Sequence, residues 1–434
     1  MVLVKFLGGA REVGRSAVLI ESESGKSCLL DYGVRFKNEN RLPVEADLGD
    51  LQAIALSHCH VDHSGALPYI YTKYEVPLLT NALTHQVSEI LLRDLIKISR
   101  HSYPFGYKEL DLLRRNTLFL ENKVRHKIDD NFFITFYNAG HIPGSVSILV
   151  EVDDKRIFYT GDINTQETNL INGANPDEIP KIDCLITEST YALKDHPNRE
   201  RLEKKFIENV VNVIEDNGKV LIPAFGVARS QEAFLMLKKY GFQGKIYLDG
   251  LSKKVSALYF DHPNSLKDFQ SYKKAFSDSK FVTFKNRKQI RNNSSYVMIT
   301  PSGMIKGGAV LYYIKDMLED PRSAIYMVGY QADDAPGNKL LEKGVFEYHD
   351  NRRSKKRVQD MQIEAKCNVD YFDFSSHADS SQLLAYVNKL HFRKNHNAIF
   401  CIHGDEKATT TFAKKLAQLD FNAVAPEAGE TYKL

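Results

Sequence analysis

The sequence predicts an α/β fold in which one α/β unit carries the chemistry and a second is inserted into it. Three observations predict this. Short apolar runs recur, each followed by a polar loop and then by helical periodicity. One of them, LQAIALS, leads straight into SHCHVDHSG, so His58, His60, Asp62 and His63 fall in a loop at a strand's C-terminal end. The pattern of apolar run plus histidine loop then returns late in the chain, at His377 and His403, after a long stretch that lacks it.

At 434 residues the chain exceeds one ordinary core, so two or three domains are expected. Hydrophobic residues at 43% and charged residues at 26% are globular values, which excludes a disordered or fibrous chain. The net charge of +3 selects no partner by itself. Its distribution is more informative: residues 193–366 hold 31 Lys and Arg against 21 Asp and Glu, and the remainder holds 27 against 34. A basic half beside a histidine-rich acidic half favours a polyanionic substrate. The five cysteines (Cys28, Cys59, Cys184, Cys367 and Cys401) are scattered and form no C-x-x-C. That fits a reducing cytoplasm and disfavours a disulfide frame or a cysteine zinc ribbon. MVLVKFLGG starts as a strand without a leader-type stretch, and no apolar run is long enough to span a bilayer.

In chain order, VLVKFLG, SAVLIES and SCLLDYG read as strands separated by glycine turns. GGAREVGRS is a tight turn rather than a phosphate loop, because a strand follows it and the Lys-Ser/Thr ending is missing. Asp31 ends its strand, where a carboxylate can fix the tautomer of a ligand histidine or simply start a turn. In the loop after LQAIALS, imidazole and carboxylate are the ligands a cation such as zinc prefers. Four such groups from so short a loop exceed what one ion would use, which suggests two adjacent ions. Ser64 is expected to cap the helix that follows. VPLLT is a strand, and NALTHQVSEILLRDLIKIS is an amphipathic helix capped by Asn81. Residues 100–127 are polar and partly helical. FFITFYN leads to a glycine-shaped loop with His141. RIFYTGDIN places Asp162 after a strand, where one carboxylate can bridge two cations. DCLITESTY is a buried strand ending in Glu188.

A composition shift follows. Helical and apolar segments alternate from HPNRERLEKKFIENVVNVIED through SAIYMVGYQ, which suggests a parallel-sheet domain of its own. RRSKKR, residues 352–357, is a solvated loop or an RNA contact. The tail repeats strand, loop and helix twice, with His377 and His403 in the loops. Residues 1–192 and 367–434 are therefore expected to form one domain, with residues 193–366 inserted between them.

The motifs SHCHVDHSGALP, AGHIPGS, YTGDIN, ITESTY, PSGM, GYQ, FSSHAD and IHGDE together resemble the β-CASP branch of metallo-β-lactamase-fold nucleases. The likeness is strongest to the catalytic subunit of cleavage and polyadenylation specificity factor in its short stand-alone form. RNase J is a more distant relative. The resemblance implies a metallo-β-lactamase αββα sandwich with a β-CASP insert and two zinc ions (Zn2+). It places His58, His60 and His141 on the first ion, Asp62, His63 and His403 on the second, and Asp162 between them. It makes His377 the general acid, held by Glu188, and Ser302 and Gly303 a phosphate-contact loop. His403 aligns with RNA-acting rather than DNA-repair members. The implied activity is hydrolysis of single-stranded RNA to 5′-phosphate and 3′-hydroxyl products, by endonuclease or 5′-to-3′ exonuclease action. A homodimer and an RNA-processing or decay complex are inherited expectations. Three other activities compete: a DNA nuclease, a small-substrate (thioester) hydrolase, and a non-catalytic RNA-binding scaffold.

Overall fold

The computed structural model describes residues 1–36, 41–99, 103–348, 361–393 and 397–434. The basic run 352–357 lies outside the described residues. The described chain divides into two compact units. The first comprises Met1–Glu167, Asn172–Asp195 and Ser376–Leu434, and the second comprises Thr168–Ile171 and His196–Ser375.

The first unit is built on two seven-stranded sheets. One runs in the order Thr431–Lys433, Leu3–Gly8, Ala17–Glu21, Lys26–Leu30, Asp50–Ala55, Leu78–Thr80, Thr117–Phe119. The other runs Asn422–Val424, Ala398–Ile402, Cys184–Glu188, Lys155–Tyr159, Val146–Val152, Phe132–Asn138, Arg125–Asp129. Strand alternation divides each run between two cores. Val18 and Ile20 of the first sheet join Ile148, Val150 and Ile186 of the second in the core between the sheets. The residues between them turn outward. Leu19 and Ile54 pack with Leu92 and Leu113 on the helices Ala82–Ser99 and Tyr107–Arg115. Leu149 and Leu185 pack with Leu383 and Leu416 on the helices Ser380–Lys389 and Glu406–Ala417. Strands buried on both faces explain why these segments read as continuous apolar runs. The result is four layers, helix–sheet–sheet–helix, as a metallo-β-lactamase fold requires.

Two local expectations change. Ser64 is not a cap at a helix start: it ends a short helix, Val61–Ser64, and its hydroxyl donates to the Cys59 carbonyl at 2.9 Å. His60 stands at that helix's N-terminal boundary instead. The strand Asn368–Tyr371, assigned from sequence to the returning tail, pairs in parallel with Ala324–Met327 of the second unit. Its alternation cannot tell which sheet it joins. The predicted cap at Asn81 is present, with Oδ1 accepting from the Thr84 amide at 2.9 Å.

The second unit holds a six-stranded sheet in the order Lys280–Phe281, Ile246–Leu248, Tyr296–Thr300, Lys219–Pro223, Ala324–Met327, Asn368–Tyr371, with every pairing parallel. Helices such as Arg229–Lys239 and Phe269–Ser277 connect its strands. All five cysteines are buried and unpaired.

Candidate active site

The first histidine loop is held by backbone on several sides. Past the strand Asp50–Ala55, the Leu56 amide still bonds to the Leu79 carbonyl at 3.0 Å, so the chain carries the sheet direction into Ser57 and His58. The Ser16 amide bonds to the Asp62 carbonyl at 2.9 Å, and the Tyr32 amide to the His63 carbonyl at 2.8 Å. Position 33 must be glycine, because a Cβ there would collide with the Asp62 carbonyl. Two ionisable residues of the site hold left-handed backbone, Asp31 (φ 56°) and His403 (φ 46°). Such conformations cost free energy and persist where surrounding bonds over-determine them. At His403 those bonds run from its amide to the Gly9 carbonyl at 2.6 Å and from the Thr190 hydroxyl to its carbonyl at 3.0 Å.

Seven predicted ligands converge in two groups. In one, His60 Nδ1 lies 3.1 Å from His58 Nε2 and 3.2 Å from His141 Nε2. Asp162 Oδ2 is 3.6 Å from His58 and 3.7 Å from His141. In the other, His63 Nε2 lies 3.3 Å from His403 Nε2 and 3.3 Å from Asp162 Oδ1, and His403 Nε2 is 3.5 Å from Asp62 Oδ2. Asp162 thus faces both groups, one oxygen to each.

The far nitrogens of these rings are fixed by different chemistry. His58 Nδ1 meets the Ser57 hydroxyl at 3.1 Å, and His141 Nδ1 donates to the Ser376 carbonyl at 2.8 Å. His63 Nδ1 instead donates to Asp31 Oδ2 at 2.7 Å. Asp31 is fully buried and also accepts from the Ser57 amide (2.7 Å), the Ser57 hydroxyl (2.6 Å) and the Tyr159 hydroxyl (2.7 Å). Each arrangement fixes which ring nitrogen faces the cluster.

The electrostatics follow this division. Burial pushes His58, His60 and His141 below the ordinary imidazole range, His60 to about 4. Burial opposes charge on His63 and His403 as well, but there the carboxylates override it. Asp162 and Asp31 hold His63 well above the ordinary value, and Asp162 raises His403 to about 10.

These groups fit divalent cations. A tetrahedral zinc about 2.0–2.1 Å from each ligand separates those ligands by about 3.3–3.4 Å, close to the spacings here. A single proton on His60 Nδ1 can satisfy only one of its two imidazole neighbours. Asp162 Oδ1 is buried, with no hydrogen bond of proper geometry. Imidazole nitrogens crowded together around a buried carboxylate are what a cation would relieve.

His377 and Glu188 stand beside the cluster. Glu188 ends the strand Cys184–Glu188, and its Oε1 accepts from the Ile163 amide at 2.7 Å. His377 Nδ1 lies 3.1 Å and 3.0 Å from the two carboxylate oxygens of Glu188. Its Nε2 is 4.0 Å from Asp162 Oδ2. Burial opposes charge on His377, and the Glu188 and Asp162 carboxylates override it, raising its pKa.

Ser302 and Gly303 belong to the second unit, in the loop after Tyr296–Thr300. The Gly303 carbonyl accepts from Gln331 Nε2 at 2.9 Å, and the Ser302 hydroxyl accepts from the Lys306 amide at 3.0 Å. Sequence reasoning missed Tyr159, Ser57 and the Ser376 carbonyl as supports for the cluster. Of these, only Tyr159 carries a signal: a polar tip at an inter-sheet core position, three residues before Asp162.

Family comparisons match three stretches of the chain. Residues 230–340 match the Beta-Casp domain, residues 362–426 the Zn-dependent metallo-hydrolase RNA specificity domain, and residues 9–192 the Anti-Pycsar protein Apyc1. RNase aCSPSF2 of Saccharolobus solfataricus is 33% identical, over 99% of this chain and 85% of that protein. Probable RNase MJ4 of Methanocaldococcus jannaschii is 33% identical, over 99% of each chain. Transcription termination factor FttA of the same organism is 30% identical, over 96% of this chain and 69% of that protein. A crystal structure of a protein of unknown function from Enterococcus faecalis shares the fold, with a TM-score of 0.64 over the full length of both chains at 14% identity. The catalytic-type cluster, the four layers and these relatives agree: the chain belongs to the β-CASP family of metal-dependent ribonucleases, RNA-binding hydrolases of the metallo-β-lactamase fold.

Proposed function

We propose that the protein hydrolyses phosphodiester bonds of single-stranded RNA with two zinc ions, leaving a 5′-phosphate and a 3′-hydroxyl. His58, His60 and His141 would hold one ion, Asp62, His63 and His403 the other, with one oxygen of Asp162 turned to each. The observation that carries this is the placement of His377, whose Nδ1 meets Glu188 while its Nε2 faces Asp162. When bound, the cations supply Lewis acidity, which acidifies water and neutralises charge on the phosphate.

The chain's own residues do the rest. Glu188 anchors Nδ1–H of His377 and favours the imidazolium, so Nε2–H is available to protonate the departing 3′ oxygen. Asp31 holds the Nδ1–H of His63, so its Nε2 lone pair faces inward. The amides of Ser302 and Gly303 have no partner among the described residues, which suits contact with a backbone phosphate. Among the described residues no helix is long and apolar enough to cross a membrane, in keeping with a cytoplasmic enzyme.

Zinc-replete protein and single-stranded RNA test this, with an internal label and either a 5′-monophosphate or a 5′-triphosphate. Asp62→Ala serves as the control for contaminating nuclease. Internal fragments that do not depend on the 5′ end would assign endonuclease action. Mononucleotides that require the monophosphate would assign a 5′ exonuclease. Equal activity of Asp62→Ala and wild type would overturn the proposal.

A further inference from the structure

The second unit carries an aromatic and basic surface that no catalytic role explains. Residues 273–291 contain seven Lys and Arg and one acid, Asp278. Lys273, Lys274, Lys280, Lys285 and Lys288 are exposed, and none has an acidic partner among the described residues. Phe284 is 86% exposed, an unusual position for a large apolar ring, and Phe281 (36%) and Tyr312 (52%) are exposed too.

Hydrogen bonds shape the turn that carries Phe284. Thr283 and Asn286 close a reciprocal turn. The Thr283 amide donates to Asn286 Oδ1 at 2.6 Å, and the Asn286 amide donates to Thr283 Oγ1 at 3.3 Å. Phe284 and Lys285 sit at its tip. Phe281 lies on the edge strand Lys280–Phe281, with its ring 4.7 Å from that of Phe276. Arg287 anchors the far side of the turn through two bonds to buried Asp249, at 2.8 Å and 3.0 Å, and lies 4.4 Å from the Tyr312 ring. Exposed rings among cations that have no acidic partner among the described residues are what single-stranded nucleic acid recognition uses: bases stack on the aromatics and phosphates meet the lysines. An apolar protein partner would leave five uncompensated charges at the contact.

We infer that this edge of the second unit is an RNA-contact surface, where Phe284 stacks on a base and Lys280, Lys285 and Lys288 meet the backbone. The inference rests on the ribonuclease activity proposed above. It assigns this surface to substrate affinity and not to chemistry.

The chain contains no tryptophan, so Phe284→Trp in the full-length, zinc-loaded protein creates a single reporter. Emission is read on stopped-flow mixing with poly(A), before turnover. The expected result is quenching on RNA binding that added salt reverses. Phe284→Ala is expected to raise KM for poly(A) roughly five-fold or more with kcat unchanged, and Phe284→Tyr to restore KM. Unmoved Trp emission while labelled RNA reports binding by the same sample would overturn the surface and leave the ribonuclease activity standing. Equal quenching by inorganic polyphosphate, which has no bases, would overturn the stacking. A wild-type chain that neither binds nor cleaves RNA would remove the activity on which the inference rests.

Discussion

The two halves of the histidine cluster share ligand types and differ in what stands behind them. His58 and His141 lean on a hydroxyl and a backbone carbonyl, which carry no charge. His63 leans on the buried Asp31 carboxylate, and with His403 it faces Asp62 and Asp162. Burial therefore disfavours protons on the histidines of the first half, and the neighbouring carboxylates favour them on His63 and His403 of the second. Similar ligand lists do not make equivalent sites: the net charge behind the ligands decides how each holds its cation and what must leave first.

The largest effect should come from the group both halves share. Asp162→Ala is expected to abolish cleavage and release metal from both halves, measured by elemental analysis beside the activity assay. If that variant keeps a full metal complement, the division into two halves joined by Asp162 fails.

His377→Ala should act differently, losing roughly 10²–10⁴-fold in rate while its metal content stays at the wild-type level. Loss of metal in this variant would make His377 a ligand instead of an acid.

Asp31→Asn sharpens the comparison, because Asp31 meets His63 directly and reaches His58 only through the Ser57 hydroxyl. Metal affinity should fall about 10- to 100-fold for one ion and hold for the other in chelator competition. Equal weakening of both would erase the distinction.

The smallest effect is on stability, and it separates the halves by sign. His60 has a folded pKa near 4, below its reference of 6.5, so its contribution is present above 6.5 and lost as pH falls toward 4. His403 has a folded pKa near 10, above the same reference, so its contribution is present below 6.5 and lost as pH rises through 10. Metal-free protein should therefore be most stable near pH 6.5, with Tm falling on both sides. Zinc-loaded protein should keep its Tm on the alkaline side, where a cation stands in for the protons. A metal-free Tm that is flat from pH 6.5 to 10 would count against charge retention in the second half.

Much of the site was legible because its residues announce themselves by type and place. His58, His60, Asp62 and His63 fall within six positions. His141, Asp162 and His403 each follow an apolar strand of one sheet, and strand ends on one side of a sheet gather in space, while His377 follows a strand of the second unit's sheet. The supports were less legible, since a lone Tyr159 or the Ser376 carbonyl has no spacing that marks it. Asp31 could be read as a turn residue until the structure placed four donors around it. In the fold, the αββα layers were implied by the family resemblance of the motifs, and the return of histidine loops in the tail indicated the inserted second unit. The sheet joined by Asn368–Tyr371 was not indicated, because strand pairing is settled by tertiary context and not by the strand's own pattern.

The most direct test is zinc titration of metal-free protein at about pH 8, followed by calorimetry in buffers of different ionisation enthalpy. The account predicts two ions per chain, with one uptake step releasing protons from the His63–His403 half and the other releasing few. A single ion, or two steps with equal proton release, would contradict it.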